Sequence, residues 1–552
     1  MKKLRYVLPL AFATVLLAGC FSDQGNYDYD DIKAPTWSIN IETNLKYVRA
    51  RGGATVTFDA SEYFRWVGYD SLQRAQEVRY EWRMNGKVIC TELKETFPTD
   101  ELLKRAGFNE YPSQAQLGHF VIIEKKTGVE YLCRFMLTIT PPVAPGDLIV
   151  YSETGNNKGT LSVLTLDYLQ KGVTETPDFQ LNKGVSGEIP GTPKSLSYAN
   201  ANNVSYTGSV TAITQEGGAT VFNVGEMKKV WELSEQFVDS IPHNFLVSDR
   251  RDQEEGNNSP AFTWVATKDG RLYTRQTGKN YLGGKFIPEP YYVDKKGYKV
   301  TKFAHTLWGI TSIPCYDEKN RRMLLATSTY YAPANSYRSF VSVLENPNRW
   351  RGVKISNMRA DAKVYYISAC QAKNGFAIDN NTQWYEVFYT SMGLSWVGTF
   401  AVDIRTRTLL DNWYADGRFK DFSEVQFNEE TVFLTMAQTR YRNSTQPLYS
   451  LFSEGNKIWA VKKEADGANN TMTLMEMPFE GITSKITCMT YDYSYYGSYK
   501  HLVVGCENGD VLVYNATELR EPKFIKKFNI GGRVASVKQV GAEIFRTNLD
   551  MY

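Results

Sequence analysis

Cys20 is the residue whose surroundings best prepare it for chemistry, standing at the end of Leu17-Ala18-Gly19-Cys20. Ahead of it lie a basic start, Lys2, Lys3 and Arg5, and a short apolar run from Tyr6 to Leu17. A charged start, an apolar stretch and small residues before a cut make a secretory signal. A cysteine just after the cut offers its thiol and the freed amino group to acyl chains. Each buried methylene contributes about 0.8 kcal/mol of membrane affinity, so several chains together anchor a protein stably. The competing reading, an ordinary cleaved signal with a chance cysteine, leaves four agreements in the right order to coincidence. The apolar run is too short to span a bilayer, and no later segment is long enough to do so.

Other chemistry finds little support. His119, His243, His305 and His501 belong to no HExxH, nucleophile elbow or metal-spaced pair, and no phosphate loop or dinucleotide fingerprint occurs. Asp379-Asn380-Asn381 resembles part of a calcium loop but lacks the later Gly and Glu, and reads as a turn. Six cysteines follow Cys20 without a CxxC pair, which argues against zinc. Cys90 and Cys133 are left as either a disulfide of an exported domain or two buried thiols. No cofactor and no metal is implied. A glycosidase needs only two carboxylates, which can come from distant strands, so a surface hydrolase stays open although no pair stands out among the 60 acids.

Binding has a clearer signal. Tyr491-Asp492-Tyr493-Ser494-Tyr495-Tyr496-Gly497-Ser498-Tyr499 interleaves rings with small polar residues, a composition suited to adaptable contact surfaces. Tyr330, Tyr331 and Tyr337, followed by Trp350, form a second group; Tyr281, Tyr291 and Tyr292 form a third. Tyr493, Tyr495, Tyr496, Tyr499, Tyr330, Tyr331 and Trp350 are the candidate ligand contacts, able to stack on sugar faces or grip peptide side chains. The opposing reading packs half of each group between structural layers, because alternation along a strand sends rings both ways.

Charge narrows the partners. The chain has 63 basic and 60 acidic residues, and loss of residues 1–19 removes three basic residues and no acid, leaving 60 of each sign. Such a body has no overall field to collect nucleic acid.

Aromatic residues make up 14% of the chain, and helix-period apolar stripes are nearly absent, which predicts an all-β protein. Residues 20–34, with Asp23, Asp28, Asp30 and Asp31, read as an acidic flexible tether. Residues 35–145 read as a β-sandwich of immunoglobulin type. There Val78, Tyr80, Trp82 and Met84 alternate with Arg79, Glu81 and Arg83, and Asn85-Gly86 turns the chain into Lys87–Cys90. Val56 and Phe58 point inward, as do Tyr131, Cys133, Phe135, Leu137 and Ile139, with Trp82 in the core. Only Thr99 to Ala106 reads as helix, capped by Thr99 or Asp100. Pro141-Pro142-Val143-Ala144-Pro145-Gly146 marks the boundary. Beyond it, residues 146–552 repeat a strand, turn and strand unit, with turn pairs at Asn374-Gly375, Asp416-Gly417, Gly455-Asn456 and Asn508-Gly509. A spacing of about 40 to 50 residues is that of a four-stranded propeller blade. Seven blades are predicted, with eight as the alternative. The strands around Leu148 to Leu166 are expected to pair with Val511 to Tyr514 and close the ring.

Gly25-Asn26-Tyr27-Asp28-Tyr29, Tyr80-Glu81-Trp82, and Tyr151-Ser152-Glu153 leading to Gly159-Thr160-Leu161-Ser162 resemble the PKD-like family of lipoproteins from Bacteroidetes. The resemblance implies genes beside outer-membrane nutrient importers of the SusC/SusD type. The acidic run Asp28 to Asp31 resembles signals that send such lipoproteins to the exterior of the outer membrane. The expected protein is a lipid-anchored accessory subunit that binds a glycan or peptide for the importer. The alternatives are a hydrolase acting before import, or a structural importer subunit with no ligand of its own.

Overall fold

A computed structural model gives the architecture. It describes residues 33–540 except 39–45, 113, 144–145, 168–177, 200–207, 254–260, 278–283, 306–311, 332–335, 347–353, 371–381, 404–405, 410–418, 436–447, 467–468 and 494–498. Cys20 and the tether up to residue 32 lie outside these residues. The chain divides into two compact units, Met1–Ile139 and Thr140–Tyr552. No helix among the described residues is long and apolar enough to cross a membrane.

In the first unit a five-stranded sheet runs in the order Lys46–Arg51, Glu130–Thr140, Gln116–Glu124, Val78–Met84, Lys87–Cys90, antiparallel from Glu130–Thr140 onward. A second layer holds Thr55–Asp59 paired with Lys94–Pro98. Alternation along Val78–Met84 puts Trp82 in the middle, fully buried, with ring centroids of Phe120, Phe58 and Phe135 at 4.8, 5.0 and 5.2 Å. Its indole N–H donates to the Glu92 carbonyl at 3.0 Å, so the ring is buried without stranding its one polar atom. Asn85 and Gly86 both take positive φ, as the hairpin signal requires. Glu81 departs from the simple in-and-out pattern: it is buried, because Arg79 and Arg83 close over it. Cys90 and Cys133 are separate buried thiols of this core.

Two helical details correct the sequence reading. Thr99–Ala106 is a helix, but Pro98 stands at its N-cap without any side-chain cap bond; neither Thr99 nor Asp100 serves. A second helix, Ser71–Glu77, is capped by Asp70, whose side chain accepts from the N–H groups of Leu72 and Gln73. It exposes Leu72 and buries Arg74, which pairs with Glu77 and Glu124 and lies 4.6 Å from the Trp66 ring.

The second unit is a seven-bladed β-propeller. Its seven sheets follow one another along the chain, and each consecutive pair shares a hydrophobic cluster. Blades one and two meet around Tyr151 and Phe222; two and three around Val221 and Tyr273; three, four and five around Trp264, Leu324 and Phe400. Five and six meet around Phe388 and Phe452, six and seven around Leu451 and Leu502. Blade seven then packs on blade one through Val513, Val150 and Val534. A chain of sheets whose last member packs on its first is a ring.

The innermost strands are, from blade one to seven, Val534–Gln539, Pro193–Ala199, Val247–Gln253, Val300–Phe303, Lys363–Cys370, Phe433–Thr435 and Ile486–Tyr493. The closing partner of Leu148–Gly155 is thus Val534–Gln539, in register from Leu148 opposite Gln539 to Ser152 opposite Val534. The expected partner, Val511 to Tyr514, lies instead in Asp510–Asn515, the third strand of blade seven, with both its neighbours already taken. Gly532 enters the closing strand so tightly that a Cβ would sit 1.9 Å from the Glu153 carbonyl oxygen.

Candidate functional site

The inner strands carry an arc of charge. From blades one to four come Lys538, Lys194, Arg251 and Lys302, each on the strand nearest the axis. The Lys194 ammonium donates to the Ser248 carbonyl at 2.7 Å. Lys194 remains open to water, yet its pKa is lowered, first by loss of hydration and then by Lys302, Lys268 and Arg251, against the opposing pull of Asp249.

Arg251 orders the middle of the arc. It pairs with Asp249 at 2.9 Å, donates to the Arg250 carbonyl at 2.8 Å and reaches His305 Nε2 at 3.1 Å. A guanidinium has only donors, so Nε2 accepts and the imidazole is neutral. His305 is held well below its ordinary pKa by burial first, then by Arg251, Lys538 and Lys302. Its ring lies 4.8 Å from that of Tyr366, and the His305 backbone N–H donates to the Ile367 carbonyl at 2.8 Å, joining blades four and five. Beyond the arc, Glu429 pairs with Lys363 at 2.9 Å and Lys302 at 3.7 Å; burial raises its pKa, but the two lysines prevail and the net shift is downward.

A second polar cluster sits between blades five and six. Fully buried Glu386 accepts from both Lys463 and Thr435, and from the Ser450 hydroxyl at 2.8 Å. Lys463 also donates to Ser450 at 2.8 Å. A serine beside a lysine has the makings of an activated nucleophile, but Ser450 is fully buried and its hydroxyl is spent on Glu386. This cluster fastens two blades. Among the described residues no three His, Cys, Asp or Glu gather as a metal site needs.

The aromatic candidates are placed in part. Tyr493 pairs with Tyr499 where the first two strands of blade seven part, and Tyr330 and Tyr331 pair with Tyr337 and Ser336 where the last two of blade four part. Both strand ends lie at the same end of the ring, on blades separated by two others. Tyr495, Tyr496 and Trp350, with Tyr281 and Asp379-Asn380-Asn381, fall outside the described residues. Tyr291 is structural, packing on Trp264 and donating its hydroxyl to Ser339 at 2.9 Å, while Tyr292 is exposed. The basic arc was not anticipated. Its signal was present in Val247-Ser248-Asp249-Arg250-Arg251-Asp252-Gln253, a strand far too charged for a buried blade.

Residues 20–191 match the model of the PKD-like family, which spans the first unit and continues through Leu148–Gly155, Lys158–Asp167 and Asp178–Asn182 of blade one. No curated protein matches the sequence. Among solved structures, the chain is similar to the periplasmic gluconolactonase PpgL of Pseudomonas aeruginosa at 12% identity, over 71% of this chain and 98% of that one, with a TM-score of 0.41. It is similar to AztD of Citrobacter koseri at 10% identity, over 76% and 94%, with a TM-score of 0.34.

Proposed function

We propose that this protein is a lipoprotein of the outer membrane, facing the cell exterior, that captures a glycan or peptide nutrient for a SusC/SusD-type importer. The observation that carries the reading is that the match to the PKD-like family begins at Cys20, the residue that Leu17-Ala18-Gly19 prepares for acylation. Lipidation confines the body to the membrane plane and raises its effective concentration near a transporter in the same plane, so weak contacts suffice for capture.

The test has two arms. In cells fed a palmitate analogue, the wild-type protein is expected to take up label and Cys20→Ala to lose it, with surface protease cleaving the labelled protein on intact cells. The labelled protein is expected to co-purify with a transporter pair. Absence of label, or protection from protease, overturns the surface reading; label and exposure without any transporter overturn the importer role.

A further inference from the structure

We propose that the surface of the first unit around the root of the tether, made by Val67, Tyr69 and Leu72, lies on the lipid bilayer, so that this unit meets the membrane by one fixed side. The inference rests on the acylation of Cys20 read above and names what the anchored body touches.

Where the chain emerges is the first argument. Lys33, the first described residue, stands thirteen positions after Cys20. A chain of that length spans at most about 45 Å, so an acylated Cys20 keeps this root close to the headgroups. The root is also fastened. Arg74 donates from Nη2 to the Lys33 carbonyl at 3.0 Å, and the Lys33 ammonium sits 5.8 Å from the centre of the Tyr69 ring. Arg74 is itself buried, held by Glu77, Glu124 and the face of Trp66. The tether therefore leaves the body against residues 66–77. The second argument is what those residues show to solvent. Val67 is 56% exposed, Tyr69 38% and Leu72 80%, all within six positions of one another and on the segment that grips Lys33. Positive φ at Gly68 turns the chain, and the Asp70 carboxylate accepts from the Leu72 N–H at 2.8 Å, which sets the first turn of the helix with its leucine outward. A helix that buries its arginine and shows its leucine is backwards for an aqueous setting. Beside a bilayer it is the right way round: leucine and valine enter the acyl boundary, and a tyrosine stays at the headgroups. The third argument is size. Three apolar side chains offer too little area to hold a protein on a membrane unaided. With the anchor supplying the encounter, the contact becomes intramolecular and need only be weak. A second copy would have to find the patch from solution, and three residues fall well short of the area that a stable dimer buries.

Nitroxide quenching tests this on the full-length acylated protein, purified from membranes and placed in phosphatidylcholine vesicles of which a minor share of lipid carries a doxyl group. A polar dye is attached through Ala75→Cys, an exposed helix position about one turn from Leu72; Cys90, Cys133, Cys315, Cys370, Cys488 and Cys506 are buried and stay unlabelled. The dye is expected to be quenched by the doxyl lipid. Adding Val67→Ser, Tyr69→Ser and Leu72→Ser together is expected to lower that quenching about threefold, with Leu72→Ser alone giving the largest single share. Melting temperature is expected to hold, because all three side chains are exposed. Flotation with the vesicles reports the anchor separately. Protein that floats while the dye stays unquenched, or is quenched equally in the triple variant, overturns the contact and leaves the anchor standing. Protein that carries no acyl chain and does not float overturns the anchor and this contact with it. Energy transfer between dyes on different molecules, in place of quenching by lipid, gives the patch to a second copy and overturns the lipid assignment.

Discussion

Between blades five and six, Glu386, Lys463, Ser450 and Thr435 close on one another until every charge is answered and water is gone. Around the inner strands of blades two to four, Lys194, Arg251 and Lys302 stay in reach of water, Arg251 paired with Asp249 and Lys302 with Glu429. Both clusters are built from the same kinds of side chain on strands of one fold. Their difference separates polar groups sealed between blades from polar groups that keep water. A buried pair is costly to break because the survivor is stranded without water, whereas an exposed one is cheap.

That contrast can be broken by substitution. Glu386→Ala strands Lys463, and urea unfolding is expected to show a loss of about 3–5 kcal/mol; Glu386→Leu with Lys463→Met is expected to recover most of it. A loss no larger than that of a surface pair would erase the distinction. The next effect is one of pH. His305 has a folded pKa below its unfolded value, so as pH falls through about 6.5 the unfolded chain takes up a proton that the folded chain refuses. Stability from this residue is therefore complete above that pH and declines below it, by up to about 1.4 kcal/mol per pH unit. Unfolding free energies measured from pH 7.5 down to pH 5.5 are expected to slope less steeply in His305→Gln; identical slopes would mean that the ring is as accessible to protons as in the open chain. The smallest effect belongs to Asp249→Asn, which keeps an acceptor for Arg251 while removing the arc's carboxylate. Stability is expected to move by less than about 1 kcal/mol.

Much of the architecture could be read from the residues because half-buried strands write their environment as alternation. Val78–Met84, the Asn85-Gly86 turn and the inward face of Glu130–Thr140 are cases of this. Inside the propeller both faces of a strand are covered, as in Ser312–Asp317, where all six residues are buried, and the alternation disappears. The helix Ser71–Glu77 escaped notice because its apolar pattern is inverted, with Leu72 out and Arg74 in. Blade turns were equally hard to align: equivalent positions place Asn156 and Asn157, Met392 and Gly393, or Gly455 alone at positive φ, with no shared motif. The closing strand was misassigned because Val534–Gln539 and Asp510–Asn515 are both short and apolar, and only three-dimensional adjacency separates them. The arc was invisible for the same reason. Its members are scattered from Lys194 to Lys538 and meet only once the inner strands stand side by side.

The ion pair of Arg533 with Glu153 joins residues 380 positions apart. Until the far end of the polypeptide has been made and delivered, the strand Leu148–Gly155 presents one bare row of amides and carbonyls. Maturation must therefore finish late and all at once, since contacts this remote in sequence form slowly. A chain that lacked Val534–Gln539 would leave the edge of Leu148–Gly155 open to other chains, which makes quality control of this protein a matter of that one strand.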